Sequence, residues 1–134
     1  MYVGCWDKTL KIVDLERQMT QDLLIASNEA IRAIAVYGDE IFVAGCDPII
    51  RAWNMETRTS RTFMGHKDWV LGLYFHNDLL YSCSYDKTIR VWNLETCRCV
   101  EEFCGHEDGV VCLEFANGMM YSGSHDHSIR SWDI

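Results

Sequence analysis

The stretch SYDKTIRVWNLE (84–95) recurs in near-copy three more times: CWDKTLKIVDLE from Cys5, GCDPIIRAWNME from Gly45 and SHDHSIRSWDI from Ser124. Its aspartates, Asp7, Asp47, Asp86 and Asp126, are spaced by 40, 39 and 40 residues. Six positions after each stands Val13, Trp53, Trp92 or Trp132. GHKDWV (65–70) and GHEDGV (105–110) precede the last two copies, again 40 apart. A fixed period of this length means one supersecondary unit repeated, each copy burying its apolar face against the next.

Within a period the apolar residues alternate or run together in short stretches. In the third they are WVLGLYF (69–75), LLYSCS (79–84), TIRVW (88–92) and CRCVEEF (97–103). These are rich in β-branched and aromatic residues and separated by turn residues. HND (76–78) and ANG (116–118) sit where a tight hairpin needs residues tolerant of positive φ. No helical periodicity runs through the chain. The single proline, Pro48, falls where a turn meets a strand, so its missing N–H costs little. The prediction is all-β: four-stranded antiparallel units, as an incomplete unit 1–24, units 25–64 and 65–104, and an incomplete unit 105–134. Such sheets bury both faces by stacking radially, as in a β-propeller.

The order Gly-His, strand, Ser-x-Ser-x-Asp, then x-Ile-Arg-x-Trp-Asn/Asp resembles the WD40 repeat, closely at 65–93 and 105–133. The resemblance implies a partial WD40 β-propeller and a hydrogen-bonded chain of Asp, His, Ser and Trp. Here that chain falls on Asp86, His66, Ser82 or Ser84, and Trp92, and again on Asp126, His106, Ser122 or Ser124, and Trp132. A buried indole N–H needs such an acceptor. The second period has ASNEAI (26–31) in place of Gly-His, and Val13 replaces tryptophan in the first. Those two periods are expected to rest more on apolar packing. The strand count gives about three and a half blades. The expectation is a piece of a larger propeller, with ring closure by copies or completion by a second chain as alternatives.

A Ser, His and Asp set invites a catalytic reading, but a hydrolase needs one set in a cleft with an oxyanion hole. A set that recurs at identical spacing is structural, so no enzyme is expected. The turn at Asp126 keeps His125 and His127 from facing the same way, and Cys97 and Cys99 recur at no shared repeat position, which argues against a metal. No phosphate-binding glycine loop or other cofactor motif is present. Net charge is −8, from 12 basic and 20 acidic side chains, which disfavours nucleic acid. No apolar run approaches the roughly 18 residues of a membrane span. The seven cysteines suggest no disulfide framework, with Cys83 and Cys112 read as small buried hydrophobes. Together with a beginning that lacks signal-peptide features, this places the chain in the cytoplasm or nucleus.

A rigid frame leaves its loops to bind. The residue before each turn aspartate, Trp6, Cys46, Tyr85 or His125, projects on one face, joined by Trp69, Lys67 and Glu107 from the starts of the inner strands. Trp6, Lys67, Trp69, Tyr85, Glu107 and His125 are the expected partner-binding patch. The expected partner is a protein or peptide, basic given the chain's charge. The short-turn repeats also look similar to those of some F-box and RING ubiquitin ligases. That gives a second reading, substrate recognition, ahead of a propeller-associated enzyme.

Overall fold

The computed structural model describes residues 2–4, 7–14, 19–25 and 29–134. The chain forms four antiparallel meanders in sequence order. The first holds β1 (Tyr2–Gly4), β2 (Thr9–Asp14) and β3 (Met19–Ile25); the second holds β4 (Ile31–Tyr37), β5 (Glu40–Gly45), β6 (Asp47–Asn54) and β7 (Ser60–Met64). The third holds β8 (Val70–His76), β9 (Leu79–Ser84), β10 (Thr88–Asn93) and β11 (Arg98–Cys104); the fourth holds β12 (Val110–Ala116), β13 (Met119–Ser124) and β14 (Ile129–Asp133). The fold is that of a partial propeller of antiparallel blades.

Turn chemistry sets the registers. Asn77 and Asp78 between β8 and β9 have φ of 48° and 60°, and Asn117 and Gly118 between β12 and β13 have 53° and 75°. Two left-handed residues make the hairpin whose twist matches its strands. After the turn aspartates, Lys8, Lys87 and His127 are also left-handed, at 73°, 74° and 64°. Proline cannot adopt that φ. Pro48 occupies the same place in the second period and is already inside β6. A bulge recurs near the start of β4, β8 and β12, leaving Arg32, Leu71 and Val111 outside the ladders.

The sheets lean on one another through β4, β8 and β12, which pack side by side. Phe42, Ala44, Ile50 and Ala52 of the second sheet meet Val70, Leu73, Leu80 and Trp92 of the third. Tyr81, Cys83, Ile89 and Val91 of the third meet Val110, Leu113 and Met120 of the fourth. Full burial of each larger aliphatic or aromatic side chain contributes about 1.5–3 kcal/mol. Each outer strand adds an aromatic edge: Phe63 on Trp92 at 6.0 Å and Phe103 on Trp132 at 5.5 Å.

One cross-strand pair explains two cysteines. The pair is Ala33 with Ala44 in the second sheet, Gly72 with Cys83 in the third, and Cys112 with Gly123 in the fourth. A Cβ on Gly72 would lie 2.8 Å from the Cys83 sulfur and 2.7 Å from the Tyr74 ring; one on Gly123 would lie 2.9 Å from the Cys112 sulfur. The pair thus keeps its volume while its larger member changes strand. Cys83 is fully buried, and desolvation pushes its thiol up to about 12. Cys112 departs from expectation: it is exposed, because no described strand covers its side of the fourth sheet. On that side Ile129 is 80% exposed, whereas its counterpart Ile89 is 0%.

Gly72→Ala should destabilise the chain by about 1–3 kcal/mol through overpacking. The same change in a Cys83→Ala background should cost less, leaving only the Tyr74 ring to yield. Urea unfolding of the four-variant cycle measures the coupling, and strict additivity would refute the shared volume.

Candidate functional site

Each inter-sheet connection before β8 and β12 carries a histidine that reaches into the sheet it precedes. His66 places Nδ1 2.7 Å from Asp86 Oδ2 and Nε2 2.7 Å from Ser82 Oγ, and the Trp92 indole donates to the same Oγ at 2.8 Å. With Nδ1 protonated, the imidazole donates to the carboxylate and accepts the Ser82 hydroxyl proton, so every polar atom of the chain is satisfied. His106, Asp126, Ser122 and Trp132 repeat the arrangement at 2.7, 2.7 and 2.8 Å. The other serines act differently. Ser84 Oγ accepts the Asp86 amide at 3.0 Å and donates to the Asp68 carbonyl at 3.2 Å; Ser124 does the same with Asp126 and Asp108 at 3.1 and 3.0 Å.

Two more residues finish each aspartate. The Lys67 amide reaches Asp86 Oδ2 at 2.9 Å, and the Thr88 hydroxyl reaches Oδ1 at 2.7 Å. Glu107 and Ser128 serve Asp126 at 2.9 and 2.5 Å. Burial alone would raise the Asp86 carboxyl, but His66, then Thr88 and the Lys67 amide, outweigh it and hold it well below the usual carboxylate range. Asp126 is lowered too, first by the Ser128 hydroxyl and then, against desolvation, by the Glu107 amide and His106. The threonine or serine two places after the aspartate escaped the sequence reading, although Thr9, Thr88 and Ser128 recur with the period.

The second sheet solves the same problem another way. Asp47 pairs with Arg51 at 2.8 Å, with both side chains little exposed. Val43 stands where Ser82 stands in the third sheet, opposite Arg51 as Ser82 is opposite Arg90. The Trp53 indole nitrogen is therefore buried without a partner among the described residues. This sheet rests on apolar packing, but an ion pair takes over the aspartate.

The expected binding residues gather at the loop end of the third and fourth sheets. Trp69 is 41% exposed, and its ring stands at 87° to that of Tyr85 with centroids 5.8 Å apart. Tyr85 stacks on His125 at 5.3 Å and 19°, with its hydroxyl 3.3 Å from the imidazole Nε2. Equivalent backbone bonds fix the row: Tyr85 N to Trp69 O and His125 N to Gly109 O, both 2.9 Å. Gly109 repeats the Trp69 position and has no side chain because Tyr85 lies across it; a Cβ there would meet the ring at 2.8 Å. Lys67 and Glu107 are exposed beside the row, with their amides committed to the aspartates. Trp6 lies outside the described residues. Among the described residues, no three His, Cys, Asp or Glu side chains gather as metal ligands.

Repeated blades bound by these hydrogen-bonded chains define a propeller-type scaffold. Residues 57–93 and 97–133 each match the model of the WD domain, G-beta repeat, and the chain belongs to the WD40-repeat family. Repeats of this family are scaffolds for protein interaction. A short CXCXC repeat model also matches residues 90–100, which contain Cys97 and Cys99. A 62-residue stretch is 31% identical to myosin heavy chain kinase D of Dictyostelium discoideum, covering 43% of this chain and 7% of that protein.

Trp92→Phe should destabilise by about 1–2 kcal/mol more than Trp53→Phe, because only the first removes a satisfied buried hydrogen bond; equilibrium unfolding of both variants checks this. The lowered Asp86 carboxyl contributes stability that is complete above its unfolded value, about 3.9, and is lost as pH falls below that toward the folded value. Asp86→Asn should therefore be less stable than the parent at pH 6, with the gap narrowing steadily as pH falls below about 4. Urea midpoints that stay parallel across that range would contradict the linkage.

Proposed function

We propose that the chain is a protein-interaction platform that docks a basic segment of a partner across Trp69, Tyr85 and His125. The row of three rings is the observation that carries this reading. It is solvent-facing, continuous over two sheets, and fixed by backbone bonds and stacking rather than by mobile side chains. Large rigid aromatics anchor interfaces at low entropic cost. Asp68, Glu107 and Asp108 are exposed on the same loops, and the whole chain carries −8, so a cationic segment is favoured over nucleic acid or an anionic membrane. Lys67 and Glu107 flank the row and set the register of the partner. Turnover is no part of this role, and the platform works in the cytoplasm or nucleus.

A platform of this kind can serve a catalytic domain by bringing it a substrate. The 62-residue stretch that is 31% identical to a protein named as a kinase supports such a pairing; the short-turn repeats leave substrate recognition for a ubiquitin ligase as a second form of the same role.

A peptide array of basic, neutral and acidic 12-residue sequences tests the reading. Basic sequences should be retained, and Tyr85→Ala should weaken that binding by at least about 10-fold, the scale of an interface anchor. Equal retention by parent and variant would remove the row from the docking site.

A further inference from the structure

We infer that Arg32 is a positioning residue of the docking row. From the second sheet it reaches across to the third, sets the angle of the Trp69 ring and, through that ring, the affinity for a basic segment. The inference rests on the docking reading above and adds to it a residue that the row itself does not contain.

Two departures from the repeat meet at one point. At the bulge position of the first strand these three sheets carry Arg32, Leu71 and Val111, so only the second has a cation there. At the position just before that strand they carry Ala30, Trp69 and Gly109, so only the third has a ring. β4 and β8 pack side by side, and the bulge leaves Arg32 outside its ladder. Its guanidinium carbon lies over the Trp69 ring, 5.9 Å from the centroid. The one cation of the first series thus lies on the one ring of the second.

The contact supplies what the rest of the row leaves unset. Backbone bonds fix where the Trp69 side chain starts: its amide donates to the Asp68 carboxylate at 2.7 Å, and its carbonyl accepts the Tyr85 amide at 2.9 Å. They do not choose its two side-chain torsions. The Tyr85 ring meets the indole at 87° and 5.8 Å. In the fourth sheet the neighbouring Tyr85 lies across the Gly109 position. In the second sheet the place of Tyr85 is taken by Cys46, whose amide bonds the Ala30 carbonyl as that of Tyr85 bonds Trp69. A cysteine covers little of an indole, and Arg32 of the same sheet makes up the contact. Trp69 is 41% exposed, yet it meets an aromatic neighbour from its own sheet and a cation from the sheet before. A ring set before the partner arrives is not ordered at the partner's expense, which raises affinity. The charge of Arg32 by itself opposes a basic partner, so the two effects of this residue have opposite signs.

The test pairs two measurements on the full chain: nuclear Overhauser contacts between the Trp69 and Tyr85 rings, and the affinity for a 12-residue peptide of alternating arginine and alanine. In Arg32→Ala and Arg32→Gln the ring contacts should weaken, and in Arg32→Lys they should persist. In a Trp69→Leu background only the charge of Arg32 is left to act. Relative to its effect there, Arg32→Ala in the parent should weaken peptide binding about two- to five-fold, the scale of an exposed cation–π contact. Ring contacts undiminished in Arg32→Ala would overturn the inference. So would an Arg32→Ala effect on affinity that is the same in both backgrounds. That result together with binding lost in Tyr85→Ala would leave the platform standing and remove only the positioning role. Peptide binding indifferent to Tyr85→Ala would remove the docking reading, and this role with it.

Discussion

A tryptophan brought inside a sheet carries an N–H that must keep an acceptor. In the third and fourth sheets one serine oxygen meets that demand, and the serine's own proton passes the requirement outward to a histidine and then to an aspartate. The four residues come from a strand, its neighbour, the incoming connection and the next turn. Satisfying one indole therefore fixes the loop before each sheet against the turn within it. Where the serine is replaced by Val43 the chain of bonds cannot start, and the turn aspartate takes Arg51 instead.

The exposed row depends on this buried chemistry. Trp69 follows His66 by three residues, and Tyr85 immediately precedes Asp86, so both emerge from backbone that the hydrogen-bonded chain has already clamped. The rings then need only local contacts to hold their angle. This is how a repeat presents a defined surface: interior satisfaction sets the frame, and the residues one step outside it are released to vary.

Much of this was legible in the letters. Asp86, His66 and Trp92 announce themselves because they return at fixed spacing with chemistry that fits. The choice between Ser82 and Ser84 was not legible, since residues two apart on a strand point to the same face. Strand pairing decides it: Ser82 lies opposite Arg90, two residues from Trp92. The Asp47 and Arg51 pair sits at a spacing that also shares a face, but nothing in the repeat drew attention to it. Arg32 was hidden for the opposite reason. It breaks the pattern, and aligning copies rewards agreement. The exposure of Cys112 follows from which sheets stand beside it, a property of assembly that no single period contains.

The alternating glycine and cysteine pair has a consequence of its own. Cys83 lies with its thiol fully protonated between the third and fourth sheets, while Cys104 and Cys112 stand in solvent. An alkylating reagent reaches Cys83 only in the moments when those sheets part. Its rate of modification, set against that of the open thiols, is a clock for blade separation built into the molecule by a packing exchange.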